Sequence, residues 1–167
     1  MSTRVFRRQL LLSSALFASA LTGYGRRAYG ACVIVGAGPQ FVCSDPSTEQ
    51  TINFPNANVS TVLGFSVPAG VGNALEITGD GALSYTDTNA SPLTGTTVGL
   101  FIQSNGDDGL TPGSITVNTD GVLTGTNFGI YGRNLGSGAT DITTATSRAP
   151  LHLASMSRTA RPAPISP

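Results

Sequence analysis

Short runs of alternating apolar and polar residues, separated by glycine-rich turns, fill the middle of the chain. In the run beginning at Val98, the residues Val98, Leu100 and Ile102 fall on one side of an extended segment, with Gly99, Phe101 and Gln103 on the other. Phe128 and Ile130 share a side in the same way, with Tyr131 and Arg133 opposite; Leu75 alternates with Ile77 and Ile115 with Val117. Gly79-Asp-Gly81, Asn105-Gly-Asp-Asp-Gly109, Pro112-Gly113 and Asp120-Gly121 punctuate the runs with turn residues. A period of two, interrupted every few residues by turn chemistry, predicts an all-β protein of short strands.

The runs also repeat. Leu93-Thr-Gly-Thr-Thr-Val-Gly-Leu-Phe101 is rewritten thirty residues later as Leu123-Thr-Gly-Thr-Asn-Phe-Gly-Ile-Tyr131. A second echo, Leu75–Leu83 against Ile115–Leu123, has an offset of forty and makes Asp80 and Asp120 equivalent. Self-similarity at such periods signals stacked coils. The expected fold is therefore a short β-solenoid in which Val98 lies over Phe128 and Leu100 over Ile130 inside, with Gly99 over Gly129 at a bend. A small antiparallel sandwich is the rival, since it too is built from many short strands. Its strands have no reason to resemble each other at a fixed offset.

Charge divides the chain into three zones. Arg4, Arg7, Arg8, Arg26 and Arg27 lie in residues 1–30 without an acid, and residues 31–146 hold all nine acids with Arg133 as the only base. Arg148, Arg158 and Arg161 follow, and lysine is absent. An acidic body with one cation repels phosphate backbones, which argues against nucleic-acid binding.

Residues 1–30 read as a secretory signal: a basic start, an apolar run from Leu10 to Leu21 and a small-residue exit. That run is short of the twenty or so residues a membrane span requires. Export by the cell's secretory machinery is thus expected. Cys32 and Cys43 are the only cysteines, and in an exported chain an even pair reads as a disulfide. It would staple a hairpin between them, within a hairpin and cap region of residues 31–60, and is worth about 2–3 kcal/mol for so short a loop. Val33-Ile-Val-Gly-Ala-Gly-Pro39 mimics the start of a dinucleotide fingerprint, yet Phe41 takes the third glycine's place and Pro46 blocks the required helix. It is expected to be a hairpin turn.

Candidate chemistry is sparse. The lone His152 lies beyond the repeats and lysine is missing, so the usual nucleophile and base sets are not assembled, and neither catalytic residues nor a metal or cofactor site is expected. Asp107-Asp108 offers carboxylates that, flanked by glycine, are expected to face water. Asn58-Val-Ser60 and Asn89-Ala-Ser91 spell glycan acceptors, most simply by chance. Phe101 and Tyr131, both turned outward by the alternation, are the candidate surface-binding residues; a purely stabilising surface ladder is the plainer reading.

Taken together, the leader, the Cys32/Cys43 clip and the Leu-Thr-Gly-Thr repeats with Asp-Gly turns make residues 1–146 resemble the N-terminal passenger of bacterial autotransporters. The resemblance implies a right-handed parallel β-helix over residues 61–146, displayed at the cell surface, without enzymatic activity, and engaged in adhesion or other contact with surface glycans or proteins. It also implies an outer-membrane barrel of at least eight strands, which no stretch here supplies. The expected location is therefore the cell surface where a translocator is available, and otherwise the periplasm. Residues 147–167, with Pro150, Pro162, Pro164 and Pro167, depart from the repeat composition and are expected to be disordered, with a shifted reading frame near Thr146 as one explanation. Two alternatives stand beside this reading: a polysaccharide-acting β-helix enzyme of the pectin lyase-like kind, and a nonfunctional gene remnant.

Overall fold

The structure, a computed structural model, describes residues 32–36 and 38–145 and the backbone of 151–155. The expected signal segment and most of the expected tail lie outside the described residues. The described residues form fourteen strands: β1 (Cys32–Ile34), β2 (Gln40–Cys43), β3 (Gln50–Asn53), β4 (Asn58–Thr61), β5 (Val67–Gly70), β6 (Asn73–Gly79), β7 (Ala82–Asp87), β8 (Leu93–Gly95), β9 (Val98–Ser104), β10 (Ser114–Thr119), β11 (Leu123–Thr124), β12 (Phe128–Asn134), β13 (Thr140–Thr144) and β14 (Leu151–Ser155). Among the described residues there is no helix, and the fold is all-β.

The strands form three sheets, ordered β1-β2-β4-β7-β10-β13, β11-β8-β5 and β14-β12-β9-β6-β3. From β4 onward the chain visits the first, second and third sheets in turn, as β4-β5-β6, β7-β8-β9 and β10-β11-β12. Among the described residues every strand pairing is parallel except β1 with β2. That exception is the hairpin expected around the cysteines: Cys32 pairs with Cys43 across it, Gly36 takes a positive φ of 79° at its turn, and the two sulfurs are bonded.

Parallel register stacks like residues on like. The third sheet carries the interior columns Leu75–Leu100–Ile130 and Ile52–Ile77–Ile102, the second Val67–Leu93–Leu123, and the first Phe41–Val59–Tyr85–Val117. All of these side chains are buried. Each Leu or Ile removed from water contributes about 1.5–3 kcal/mol, so the columns supply much of the drive to fold.

The thirty-residue repeat is borne out as strand pairing, with Phe128 on Val98, Ile130 on Leu100, Tyr131 on Phe101 and Arg133 on Gln103. Its interior reading needs one correction. Phe128 is only half-buried, because its ring turns to lie 5.8 Å from that of Tyr131 rather than entering the core. The offset-forty echo is not a structural equivalence. Leu75 pairs with Leu100 in the third sheet, whereas Ile115 pairs with Leu83 in the first, so Asp80 and Asp120 occupy different turns. Alternation records that one face is buried, not which sheet buries it. Nor do the parallel sheets begin at residue 61, since β2 and β4 already pair in parallel ahead of β7.

The expectation of disorder beyond residue 146 fails for Leu151–Ser155. This stretch pairs in parallel with β12, Leu151 on Ile130 and Leu153 on Gly132. Leu-His-Leu-Ala-Ser keeps the period of two, and that outweighs the change in composition around it.

Tyr85 is an interior residue whose chemistry disagrees with its place. It is fully buried, and its hydroxyl has no hydrogen-bond partner among the described residues. Burial first, and the neighbouring Asp87 second, push its phenol far above the ordinary tyrosine value, so it stays neutral. An unmet buried hydroxyl costs about 1–3 kcal/mol. Tyr85→Phe is therefore expected to raise the melting temperature, by about 2–4 °C for each kcal/mol recovered in a chain of this size; a fall on calorimetry would show that the hydroxyl is held by a partner.

Candidate functional site

The outward face of the third sheet gathers the residues singled out for surface binding. On strands β6, β9 and β12 the alternation that buries Leu75, Leu100 and Ile130 turns the following residue outward. The column that results is Glu76–Phe101–Tyr131, and two positions along the strands runs Thr78–Gln103–Arg133. The rings of Phe101 and Tyr131 are 5.1 Å apart between centroids and within 7° of parallel. At that spacing the rings overlap face on face with an offset, a favoured arrangement for aromatic pairs. Phe128 adds a third ring, tilted by 46° against Tyr131. Both Phe101 and Tyr131 are half-buried.

Polar groups border the rings. Glu76 accepts a hydrogen bond from Asn73 Nδ2 (2.9 Å), and Gln103 Nε2 donates to Asn105 Oδ1 (2.7 Å). Arg133 is the only arginine among the described residues, and it projects from the same face as Tyr131. The patch therefore presents aromatic surface, one cation and several amides. It can hold a ligand by stacking and hydrogen bonding.

Asp107 is exposed, as expected, and Asp108 half-buried, but both carboxylates also hold hydrogen bonds across the turn. Asp107 Oδ1 accepts hydrogen bonds from Gly113 N (2.7 Å) and Ser137 N (2.9 Å), and its Oδ2 accepts from Ser137 Oγ (3.0 Å). Asp108 accepts from Asn56 Nδ2 (2.5 Å), Leu110 N (2.8 Å) and Thr111 N. One turn thereby ties together the connections that follow β3, β9 and β12. Its carboxylates are used in structure, and among the described residues no group of three or more His, Cys, Asp or Glu is placed to hold a metal.

These bonds hold both carboxyls below the ordinary aspartate range: for Asp107 chiefly the Ser137 and Gly113 amides, for Asp108 chiefly the Asn56 amide and then Thr111 N. A folded-state pKa lower than the unfolded one stabilises above the unfolded value and is lost as pH falls through the folded value. Acidification below about pH 4 is therefore expected to shift the amide resonances of Gly113 and Ser137, while Asp107→Asn leaves them insensitive to pH in that window. Resonances that move equally in both proteins would refute the assignment.

A residue missed by sequence reasoning holds another corner. Asp87 is almost fully buried, and both of its oxygens are occupied: Oδ1 accepts from Thr61 Oγ1 (2.6 Å) and Asn89 N (3.1 Å), Oδ2 from Ser91 N (3.0 Å) and Thr119 Oγ1 (3.2 Å). The available signal was Asp87-Thr-Asn89, an aspartate placed to cap its own turn two residues on. Of the two sequons, Asn89 donates its amide to Thr61 O (2.8 Å), whereas Asn58 is exposed on β4.

Compared with known proteins, the chain matches no protein-family model, no curated protein and no solved structure.

Proposed function

We propose that the chain is a short β-solenoid, of the right-handed parallel β-helix kind, that works outside the cytoplasm as a passenger-like, non-enzymatic module for surface interaction. The observation that carries this reading is the parallel pairing of Val98–Ser104 with Phe128–Asn134, one repeat apart, within sheets that the chain visits in constant rotation. Such stacking gives a rigid rod whose outer columns repeat, a geometry suited to presenting a surface rather than enclosing a substrate. The Cys32–Cys43 bond supports an oxidising compartment. The bonds that engage Asp107 and Asp108 weigh against the polysaccharide-cleaving alternative, which would need carboxylates available for proton transfer.

The outer Phe101–Tyr131 ladder is the proposed contact surface, with a surface glycan or protein as its partner. Expression with the native leader should place the chain in the cell envelope with its cysteines oxidised; a reduced, cytoplasmic chain would overturn the export reading. Separately, Tyr131→Ser should weaken binding of the folded protein to glycan and cell-surface arrays about tenfold or more, the loss of one stacked aromatic contact being on the order of 1–3 kcal/mol. Unchanged binding with an unchanged fold would leave the ladder a stabilising device only.

A further inference from the structure

Asn105-Gly106 is the only Asn-Gly pair in the chain; every other asparagine is followed by Ala, Val, Phe, Thr or Leu. The pair opens the turn after β9, immediately ahead of Asp107 and Asp108. Asn105 is exposed, and a methyl group built on Gly106 would meet nothing within 4 Å, so the space around the glycine is open. Among the described residues no group accepts a hydrogen bond from Gly106 N. Gln103 Nε2 donates to Asn105 Oδ1 at 2.7 Å, which draws electrons from the side-chain carbonyl carbon. An unencumbered backbone nitrogen thus adjoins an activated amide, with no side chain to block ring closure.

From this geometry we propose that Asn105-Gly106 is a self-modification site of the folded protein, and that its product releases the turn that ties the loops together. Gly106 N loses its proton to water or hydroxide and bonds to Asn105 Cγ. The side-chain nitrogen takes up a proton and leaves as ammonia, closing a five-membered imide. Water then opens the ring. Breaking the bond from Gly106 N to Cγ gives aspartate, and breaking the bond from Gly106 N to the Asn105 main-chain carbonyl gives isoaspartate, with the chain rerouted through Cβ. No electrons are exchanged, and water is the only co-reactant.

The rerouted product adds a methylene to a main chain pinned on both sides of the reacting bond. Asn105 N donates to Gly79 O (2.8 Å), and Gly106 O accepts from Gly81 N (2.7 Å). The added length displaces Asp107, the next residue, whose oxygens hold Gly113 and Ser137. The encoded aspartate lacks that extra atom and keeps the register.

The test is incubation of the purified, disulfide-intact protein at mildly alkaline pH, followed by peptide mass analysis and separation of the isoaspartyl form. The result expected is conversion of amide to carboxylate confined to residue 105, abolished in Asn105→Ser. The isoaspartyl form should lose hydrogen-exchange protection at Gly113 and Ser137, whereas Asn105→Asp retains it. Two results would overturn the proposal: a folded chain that keeps its Asn105 amide while the urea-unfolded chain loses it, or an isoaspartyl form with both amides still protected.

Discussion

Replacing Asp87 with alanine is expected to remove about 3–5 kcal/mol of stability, since a buried donor left without an acceptor costs about 1–3 kcal/mol. Four donors converge on this side chain, and two of them are the backbone N–H groups of Asn89 and Ser91, which cannot rotate away. The hydroxyls of Thr61 and Thr119 can turn to other acceptors, so the cost falls short of four full penalties. Asp87→Asn separates shape from chemistry. Each carboxylate oxygen faces one backbone N–H, so either orientation of an amide aims its own NH2 group at a donor. Asparagine should therefore cost about 1–3 kcal/mol despite being isosteric. Domains of this kind hold only about 5–15 kcal/mol in total, so the alanine variant should unfold at a much lower urea concentration. A loss below about 1 kcal/mol in both variants would mean that the loop finds other acceptors.

The second large effect is expected at Gly95, the glycine of the Leu-Thr-Gly-Thr repeat. A Cβ there would lie 2.1 Å from Val98 O, 2.7 Å from Gly72 O and 2.8 Å from Ala74 N. All three are backbone atoms, and Gly72 O already accepts from Thr97 N (2.8 Å) and Val98 N (3.3 Å), so it cannot yield without breaking those bonds. Gly95→Ala should cost about 3 kcal/mol, the upper part of the range for forced overpacking. Gly38→Ala is the control. Nothing lies within 4 Å of its Cβ position, so the change should fall within about 0.5 kcal/mol of neutral. The entropy that alanine removes from the unfolded chain favours the folded state at either site, so similar losses at both would show that the close approach at the corner does not set the cost.

The same corner shows where the repeat was readable and where it was not. Gly125, the counterpart of Gly95 in the second copy, would set its Cβ 2.3 Å from Phe128 O and 2.6 Å from Thr97 O. The motif therefore recurs because the chain turns in the same cramped way each time. Two copies were visible because β9 and β12 pair at an offset of thirty residues with similar side chains throughout. The earlier strands β3, β6 and β9 pair at twenty-five, and their likeness is confined to single buried positions such as Ile52, Ile77 and Ile102. A column needs matching size only at its inward residues, so polar and loop positions diverge and the period fades from the letters.

Among the candidate residues, outward projection of Phe101 and Tyr131 followed from alternation, and the ring stacking from like residues in register. The roles of Asp107, Asp108 and Asp87 did not. A glycine-flanked aspartate looks the same whether it faces water or another loop, and the partners Asn56, Ser137, Thr61 and Thr119 lie tens of residues away in the chain.

By itself the sequence determined that the protein is all-β, which residues alternate inward and outward, that the Cys32–Cys43 hairpin closes, and that the segments at Val98 and Phe128 are equivalents. Those properties depend on neighbours within a few positions or on direct repetition. Only the tertiary structure decided which sheet each strand joins, that Leu151–Ser155 extends the third sheet, that Phe128 turns out of the core, and that buried aspartate and acidic turns bind successive connections together. These depend on strand register and on loops of unequal length meeting at one corner, and alternation of period two carries no information about either.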